Sequence, residues 1–347
     1  MIVELWGLYP PPIGGVSIHI KRLIVGMNKK MRVFLKDFKP KEEYAYDYII
    51  PVKVPIWEIL KLPFIKKRII HVEQFSLALF IALLVSGWKH YLGITIHNQR
   101  SILITSKIKN AICRCFFNRC RFIIMNDNKF KNSFVHFFKV KEEKIHVLPA
   151  FLPPTEAERR GIPAFVNDFK SCHTFIVSAN GYRLRLDNGI DVYGLDLLVD
   201  LICQLQDEGI NAGLVFCLPE VGDEMYYQSI KRTITRMNLT EHILFVEGLN
   251  DNGFEYWEIS DLFIRPTCTD MEGISIKEAL SVGCHVVASD VCIRPPECVL
   301  FKNRDVNDLF NKVLTIYKKG IYQHKISYNS FVDVAQETIN IYKEISY

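Results

Sequence analysis

The sequence predicts an α/β protein of two domains, each built on a doubly wound, Rossmann-like parallel β-sheet. Three observations support this prediction. The chain has 347 residues, which is long enough for two hydrophobic cores. Short apolar runs alternate with segments of helical periodicity, a pattern typical of β-α-β units. A segment with four prolines, 149–163, divides this alternation into two series.

The first series predicts a domain over residues 1–160. It opens with a strand at 2–6, a Pro/Gly loop at 10–15 and a helix that begins by residue 18. Further predicted strands are 68–72, 92–96, 121–125 and 145–148, and the predicted helices between them are 75–88, one after residue 100 and one from residue 128.

The second series predicts a domain over 161–325, followed by a C-terminal helix within 326–347 that we expect to pack back on the first domain. Because ligands of such sheets bind at the carboxyl ends of the strands, we expect the site in a cleft between the two domains. The predicted strands are 174–179, 212–218, 243–246, 262–265 and 285–289, and the predicted helices are 195–206, 225–237, 275–282, 305–318 and 328–345.

Composition excludes several classes of protein. Hydrophobic residues make up 49% and charged residues 23%, which is the balance of a globular protein. The net charge of +5 is too small to indicate a nucleic-acid partner. The apolar run 75–88 is shorter than the roughly 20 residues that span a bilayer, and we expect a buried helix there. The ten cysteines lack paired C-x2-C spacing, so we expect reduced thiols in a cytoplasmic protein without a metal site.

Two loops have the composition of anion-binding turns. Gly14 and Gly15 lie between the first strand and the first helix, where backbone N–H groups can approach a phosphate. The loop is not G-x-G-x-x-G, which disfavours NAD, and a tight turn explains the glycines equally well. The second loop carries Gly273, Ile274 and Ser275 at the predicted start of a helix. Carboxylates flank it, and helix capping alone explains Glu272 but not the recurrence of an acid eight positions after Asp270.

Several motifs together are more specific than each alone. Asp270 and Glu278 are separated by seven residues, and Gly283 and the strand end Ala288-Ser289-Asp290 follow them. Tyr193-Gly194-Leu195-Asp196-Leu197-Leu198 precedes them, and Thr95-Ile96-His97-Asn98 lies in the first series. This set resembles the retaining GT-B glycosyltransferases with the E-x7-E motif, the family 4-like enzymes of polysaccharide biosynthesis.

The resemblance implies a metal-independent, retaining hexosyltransferase of GT-B architecture, with an acceptor-binding first domain and a nucleotide-sugar-binding second domain. Its substrates would be a UDP- or GDP-sugar and a saccharide or lipid-linked acceptor, in surface polysaccharide biosynthesis, and no cofactor is implied. The implied catalytic residues are Asp270, His97 and Glu278. Glu278 would bind the donor ribose, and Asp270 would hold the sugar hydroxyls. The implied donor-binding residues are Gly14, Gly15, Gly273, Ile274, Ser275 and Glu278. To these we add Arg183, Arg185 and Arg265 as candidate donor-binding residues, because the chain departs from the family pattern at its phosphate-binding Lys.

The sequence departs from the family pattern at one position that matters for charge. The family has Lys where this chain has Tyr193, yet a departing diphosphate needs positive charge. Arg183, Arg185 and Arg265 are the candidates to supply it, although Arg183 and Arg185 could instead pair with Asp187.

Basic and aromatic residues cluster in 61–68 and 114–121, which fits either a peripheral membrane surface or a solvated helix face. Two other functions stay open for the chain. One is a nucleotide-sugar epimerase of the same architecture, and the other is a non-catalytic partner that has lost the phosphate-binding Lys.

Overall fold

The chain forms two compact units, here described from a computed structural model. One unit comprises residues 1–152 together with 330–347, and the other comprises 153–329. The chain therefore leaves the first unit after residue 152, before the predicted domain boundary at 160. It re-enters the first unit at residue 330, after the predicted start of the C-terminal segment at 326. The structure describes residues 2–11, 15–97, 106–126, 128–248, 252–270, 273–326 and 332–345.

The N-terminal unit is built on a seven-stranded sheet, all of whose strand pairs are parallel. In chain order its strands are β1 Ile2–Gly7, β2 Phe34–Asp37, β3 Ile49–Pro51, β4 Arg68–Val72, β5 Tyr91–Ile96, β6 Phe122–Met125 and β7 Ile145–Val147. Its helices are α1 Gly15–Asn28, α2 Pro55–Lys61, α3 Leu77–Ser86, α4 Lys107–Arg119 and α5 Asn128–Phe138. The strand order is β3-β2-β1-β4-β5-β6-β7, so the order reverses between β1 and β4.

The strands of this unit are nearly continuous apolar runs because helices cover both faces of a parallel sheet. Helix α3 departs from the expectation of a buried helix. Leu79, Phe80 and Leu83 are buried, but Ile81 and Val85 are exposed. The helix in the apolar run 75–88 therefore buries only one face, although its sequence is apolar on all sides.

The C-terminal unit contains a six-stranded parallel sheet of order β14-β12-β8-β15-β16-β17. The order reverses between β8 and β15, and two short pairs, β9–β13 and β10–β11, flank the sheet. The strands are β8 Phe175–Asn180, β9 Arg183–Leu184, β10 Leu186–Asp187, β11 Ile190–Asp191, β12 Ala212–Leu218, β13 Glu220–Gly222, β14 Ile243–Glu247, β15 Leu262–Arg265, β16 His285–Ser289 and β17 Val299–Phe301. The helices are α6 Ala164–Ser171, α7 Leu195–Asp207, α8 Glu224–Arg236, α9 Gly253–Glu258, α10 Ile274–Ser281 and α11 Val306–Lys318.

The last helix, α12, spans Val334–Glu344 and packs against α1 of the N-terminal unit. Its N-terminus is capped by Asp333, whose side chain accepts a hydrogen bond from the backbone N–H of Gln336 at 2.9 Å. Ile339 and Tyr342 are buried in the same core as Ile24 of α1. Among the described residues, no helix is long and apolar enough to cross a membrane.

Candidate functional site

The carboxyl ends of β8 and β15 lie side by side where the strand order of the C-terminal sheet reverses. Asn180 ends β8, and Arg265 ends β15. The Arg265 guanidinium spans this point, since its Nη1 donates a hydrogen bond to Oδ1 of Asn180 at 3.1 Å. Ligands of doubly wound sheets bind at such a reversal, so these two residues mark the candidate site of this unit.

Asp270 is held at this site by three donors on one carboxylate oxygen. Its Oδ2 accepts from Nε of Arg265 at 3.1 Å, from Nη1 of Arg294 at 2.9 Å and from the hydroxyl of Thr267 at 3.2 Å. Burial works to raise the pKa of Asp270, but Arg265 and Arg294 outweigh it and lower that pKa to about 2. The carboxylate is therefore ionised, and two guanidiniums against one carboxylate leave the cluster with a net positive charge.

Sequence reasoning missed Arg294, which is a buried member of this cluster. Its side chain has no solvent exposure. Nε donates to the carbonyl of Ser289 at 3.2 Å, and Nη2 lies 3.4 Å from the hydroxyl of Thr267. Arg294 lies in irregular chain between β16 and β17, where no periodicity or motif spacing identifies it. Only the folding of that loop toward the end of β15 places the guanidinium beside Asp270.

Helix α10 begins directly beside Asp270, at a glycine in the left-handed region. Gly273 has φ +64°, and a Cβ there would lie 3.0 Å from Nη1 of Arg294 and 3.2 Å from Oδ2 of Asp270. The backbone at this position therefore favours glycine, and an added Cβ would press on the ion pair. Ile274 is exposed and Ser275 is buried in the first turn, and Glu278 is half-buried further along the same helix.

Tyr193 belongs to the same neighbourhood. The guanidinium carbon of Arg265 lies 5.8 Å from the centre of the Tyr193 ring, a cation–π contact. At the next residue, Gly194, a Cβ would lie 2.5 Å from the carbonyl oxygen of Pro266, so the loops after β11 and β15 are in close contact. The aromatic ring thus packs on the arginine that ends β15.

The other two arginines predicted to bind phosphate are placed differently. Arg183 pairs with Glu220, with Nη2 2.7 Å from Oε2, and the side chain of Arg183 is largely exposed whereas that of Glu220 is half-buried. This contact links β9 to β13, and it replaces the alternative pairing of Arg183 with Asp187. Arg185 lies in the exposed chain between β9 and β10. The structure therefore gathers Arg265 and Arg294, but not Arg183, around Asp270.

In the N-terminal unit, His97 follows β5 and contacts a buried carboxylate. Its Nε2 lies 2.8 Å from Oε2 of Glu73, which follows β4 and is fully buried. His19 of α1 lies beside it, with ring centroids 4.8 Å apart, and its Nδ1 donates to the carbonyl of Ala150 at 2.6 Å. Glu73 and His19 were not predicted as site residues, because only the convergence of α1, β4 and β5 brings them to His97.

Glu73, His19 and His97 also satisfy a loose criterion for a metal site, since one ligand atom from each lies within 4.8 Å of the others. A cavity of about 10 Å³, lined in part by His19, Thr95 and His97, adjoins them and has room for one water molecule. Burial works to raise the pKa of Glu73, but His71 and the hydrogen bond from His97 lower it to about 2. Burial lowers the pKa of His19 to about 4, so this imidazole is neutral at pH 7.

Three positions singled out in the sequence lie outside the described residues, namely Gly14, Asn98 and Glu272. Gly15 is described and is the first residue of α1, where it is exposed.

Residues 186–332 match the family model described as glycosyl transferases group 1. The match covers less than half of the chain and lies almost entirely in the C-terminal unit, where it includes β15, Asp270 and α10. No curated protein sequence matches the chain significantly.

Solved structures of similar fold include HepE of Anabaena in complex with UDP, which is 14% identical over 100% of this chain and 98% of that chain, with a TM-score of 0.63. Sucrose-phosphate synthase from Thermosynechococcus elongatus is 14% identical over 100% and 99% of the two chains, with a TM-score of 0.62. WaaG, a glycosyltransferase involved in lipopolysaccharide biosynthesis, is 14% identical over 92% of each chain, with a TM-score of 0.57.

The predicted fold class is confirmed: two parallel-sheet α/β units form a GT-B fold. The group 1 match, together with this fold, supports the GT-B glycosyltransferase superfamily for the chain. The assignment of Asp270 and Glu278 to an E-x7-E motif stays a prediction.

Proposed function

We propose that the chain is a retaining glycosyltransferase that moves a sugar from a UDP- or GDP-sugar to a saccharide or lipid-linked acceptor. The observation that carries this proposal is the N-terminus of α10 beside the Asp270 cluster, at the strand reversal of the C-terminal sheet. The group 1 match over this region supports glycosyl transfer. The structures of HepE with UDP and with UDP-glucose support a nucleotide-sugar donor.

In this proposal the diphosphate binds at the start of α10, where backbone N–H groups and the helix dipole favour an anion. Arg265 supplies the cation that the family takes from the Lys replaced here by Tyr193. Its side chain is 12% exposed, whereas Arg294 is fully buried and acts through its charge. Glu278 binds the donor ribose, and Asp270 orients the sugar hydroxyls.

During transfer, the bond from the anomeric carbon to the diphosphate oxygen breaks, and a bond from that carbon to the acceptor oxygen forms on the same face. The proton of the acceptor hydroxyl passes to the departing diphosphate. Positive charge near the phosphate oxygens stabilises the leaving group, which is why a metal ion is not required in this proposal. Transfer should therefore persist in EDTA, with the anomeric configuration of the donor retained in the product.

We further propose that the N-terminal unit binds an anionic lipid surface through the basic-aromatic surface, defined here as Phe64, Lys67, Trp88, Lys89, Arg119, Arg121 and Lys144. Phe64 is 88% and Trp88 64% exposed. Nζ of Lys89 donates to the carbonyl of Pro63 at 2.6 Å, and Arg119 donates to the carbonyl of Trp88 at 2.5 Å, so the two aromatic residues are held near the lysines and arginines. Exposed aromatics among cations suit insertion at a headgroup layer. Such a surface would bring the enzyme to a lipid-linked acceptor.

Incubation with a panel of UDP- and GDP-sugars tests the function. Slow release of free sugar, and its transfer to added saccharides, is expected of a glycosyltransferase. Isomerised donor would instead identify an epimerase, and absence of donor binding would identify a non-catalytic partner.

Matched variants test the site. Glu278→Gln and Arg265→Met should each weaken donor binding in calorimetry about tenfold or more, since each removes a hydrogen bond with a charged group. Glu241→Gln and Arg232→Met change exposed groups of the same types and should bind within about twofold of the wild type. If Glu278→Gln and Arg265→Met both bound the donor normally, the site assignment would be wrong.

A further inference from the structure

A continuous chain of buried hydrogen bonds runs from α12 to His97 in the N-terminal unit. Tyr342 of α12 lies 2.6 Å from Nδ1 of His71, and Nε2 of His71 lies 2.7 Å from the hydroxyl of Thr95. That hydroxyl donates to Oε1 of Glu73 at 3.3 Å, and Oε2 of Glu73 is 2.8 Å from Nε2 of His97. All of these side chains except His97 are buried.

The directions of these hydrogen bonds follow from which groups can donate. Nε2 of His71 lies 3.2 Å from Oε1 of Glu73, and a carboxylate oxygen accepts, so Nε2 carries the proton and Nδ1 accepts from the hydroxyl of Tyr342. Nε2 of His71 then carries its proton toward Thr95 and Glu73, and Thr95 donates onward to Glu73. The hydroxyl of Thr95 and the imidazoles of His71 and His97 all contact Glu73 as donors, and these contacts favour its ionised form.

An ionised carboxylate can only accept, so the hydrogen bond to Glu73 requires the proton of His97 to be on Nε2. In neutral His97 this leaves Nδ1 as an acceptor. Among the described residues, Nδ1 of His97 has no hydrogen-bond partner. The neighbouring His19 differs, because its Nδ1 carries the proton that is donated to Ala150.

We propose that Glu73 is the positioning residue for His97, which it fixes in the Nε2–H tautomer so that Nδ1 accepts a hydrogen bond from a sugar hydroxyl. The hydroxyl-binding part of this inference rests on the proposed function, but the tautomer does not. Glu73 touches no substrate in this proposal, and it acts through the imidazole that it orients.

The tautomer is measured by ¹⁵N NMR of protein labelled at histidine. At a pH at which the imidazole of His97 is neutral, the wild type should show His97 with a protonated Nε2 and an unprotonated Nδ1. Glu73→Gln should lose this pattern, because the neutral amide can accept from a protonated Nε2 through its oxygen or donate to an unprotonated Nε2 through its NH2 group, and so fits both tautomers. Tyr342→Phe removes a hydroxyl at the far end of the same hydrogen-bond chain and should keep the wild-type pattern at His97.

Thermal melts establish that each variant is folded. A wild-type His97 with a protonated Nδ1, or an unchanged tautomer in Glu73→Gln, would overturn the proposal.

Kinetics with an active donor sugar tests the role of Nδ1. Glu73→Gln should lower kcat by about 10²-fold, as expected for a mispositioned hydrogen-bonding group, with KM for the donor changed much less. Glu73→Asp keeps the carboxylate and should recover part of the loss. Unchanged kcat in a folded Glu73→Gln would contradict the role.

Two further outcomes distinguish this proposal from the proposed function and from a metal site at the same residues. An inactive wild type with the expected tautomer would contradict the proposed function while supporting the assignment of Glu73. One equivalent of metal in the purified protein, lost in His19→Ala, would identify the three residues as a metal site and overturn the proposal.

Discussion

Asp270 is a half-buried carboxylate in the C-terminal unit and Glu73 a buried one in the N-terminal unit, and different partners keep them ionised. Asp270 faces two guanidiniums, whereas Glu73 accepts hydrogen bonds from neutral donors and imidazoles. A guanidinium remains charged at every accessible pH, so only Asp270 itself titrates in its cluster. The Glu73 cluster also contains imidazoles that can titrate.

The pH dependence of stability should reveal the Asp270 cluster. Because the pKa of Asp270 falls from 3.8 to about 2 on folding, its ionised form stabilises the fold above about pH 4. This contribution, on the order of 2 kcal/mol, is lost as the pH falls toward 2. We expect urea unfolding to show a stability gap between wild type and Asp270→Asn that is wide at pH 5 and narrows toward pH 2. Parallel curves for the two proteins would show that the arginines do not stabilise the ionised carboxylate.

At the scale of elements, the site depends on how α10 starts. The left-handed Gly273 turns the chain so that the first turn of the helix lies beside Asp270 and Arg294. A left-handed residue other than glycine costs about 1 kcal/mol, and here an added Cβ would also be in tight contact with the ion pair.

Gly273→Ala should therefore lower the free energy of unfolding by more than the left-handed backbone alone explains, and it should weaken UDP binding. Gly189→Ala is the matched control, since Gly189 has φ +78° and no atom within 4 Å of an added Cβ. The control should lose only about 1 kcal/mol and bind UDP normally. Equal losses in chemical unfolding of the two variants would contradict the close approach at Gly273.

How far the sequence predicts these elements depends on their length and burial. The buried strands at 68–72, 212–218, 262–265 and 285–289 were predicted with the observed bounds, because continuous apolar runs mark them clearly. The short strands β2 and β3 and the exposed helix α2 were not predicted, because such short segments show no recognisable hydrophobic periodicity.

The residues of the candidate site also divide into those that the sequence could identify and those that it could not. Asp270, Gly273 and Glu278 are neighbours along the chain, so motif spacing could single them out. Arg294 and Glu73 reach their clusters only through the folding of distant segments, so local sequence patterns could not identify them.

At the scale of the whole molecule, the basic-aromatic surface predicts that the protein binds lipid. Wild-type protein should co-sediment with vesicles that contain phosphatidylglycerol, and only weakly with vesicles of pure phosphatidylcholine. High salt should reduce the co-sedimentation with phosphatidylglycerol vesicles, because it screens the charges. The double variant Phe64→Ala, Trp88→Ala should lose about tenfold in vesicle affinity, because two exposed rings no longer insert. Phe165→Ala, which removes a 51% exposed ring from the C-terminal unit, is the control and should bind as the wild type does. Equal co-sedimentation of all three proteins would contradict the assignment of this surface.

The position of α12 has a consequence for biosynthesis. The C-terminal unit is a single continuous stretch, 153–329, whereas the N-terminal unit needs residues from both sides of it. Tyr342 and Ile339 complete a core that β1 and α1 begin. The core of the N-terminal unit therefore cannot be completed until residues that are synthesised after the whole of the C-terminal unit have been added.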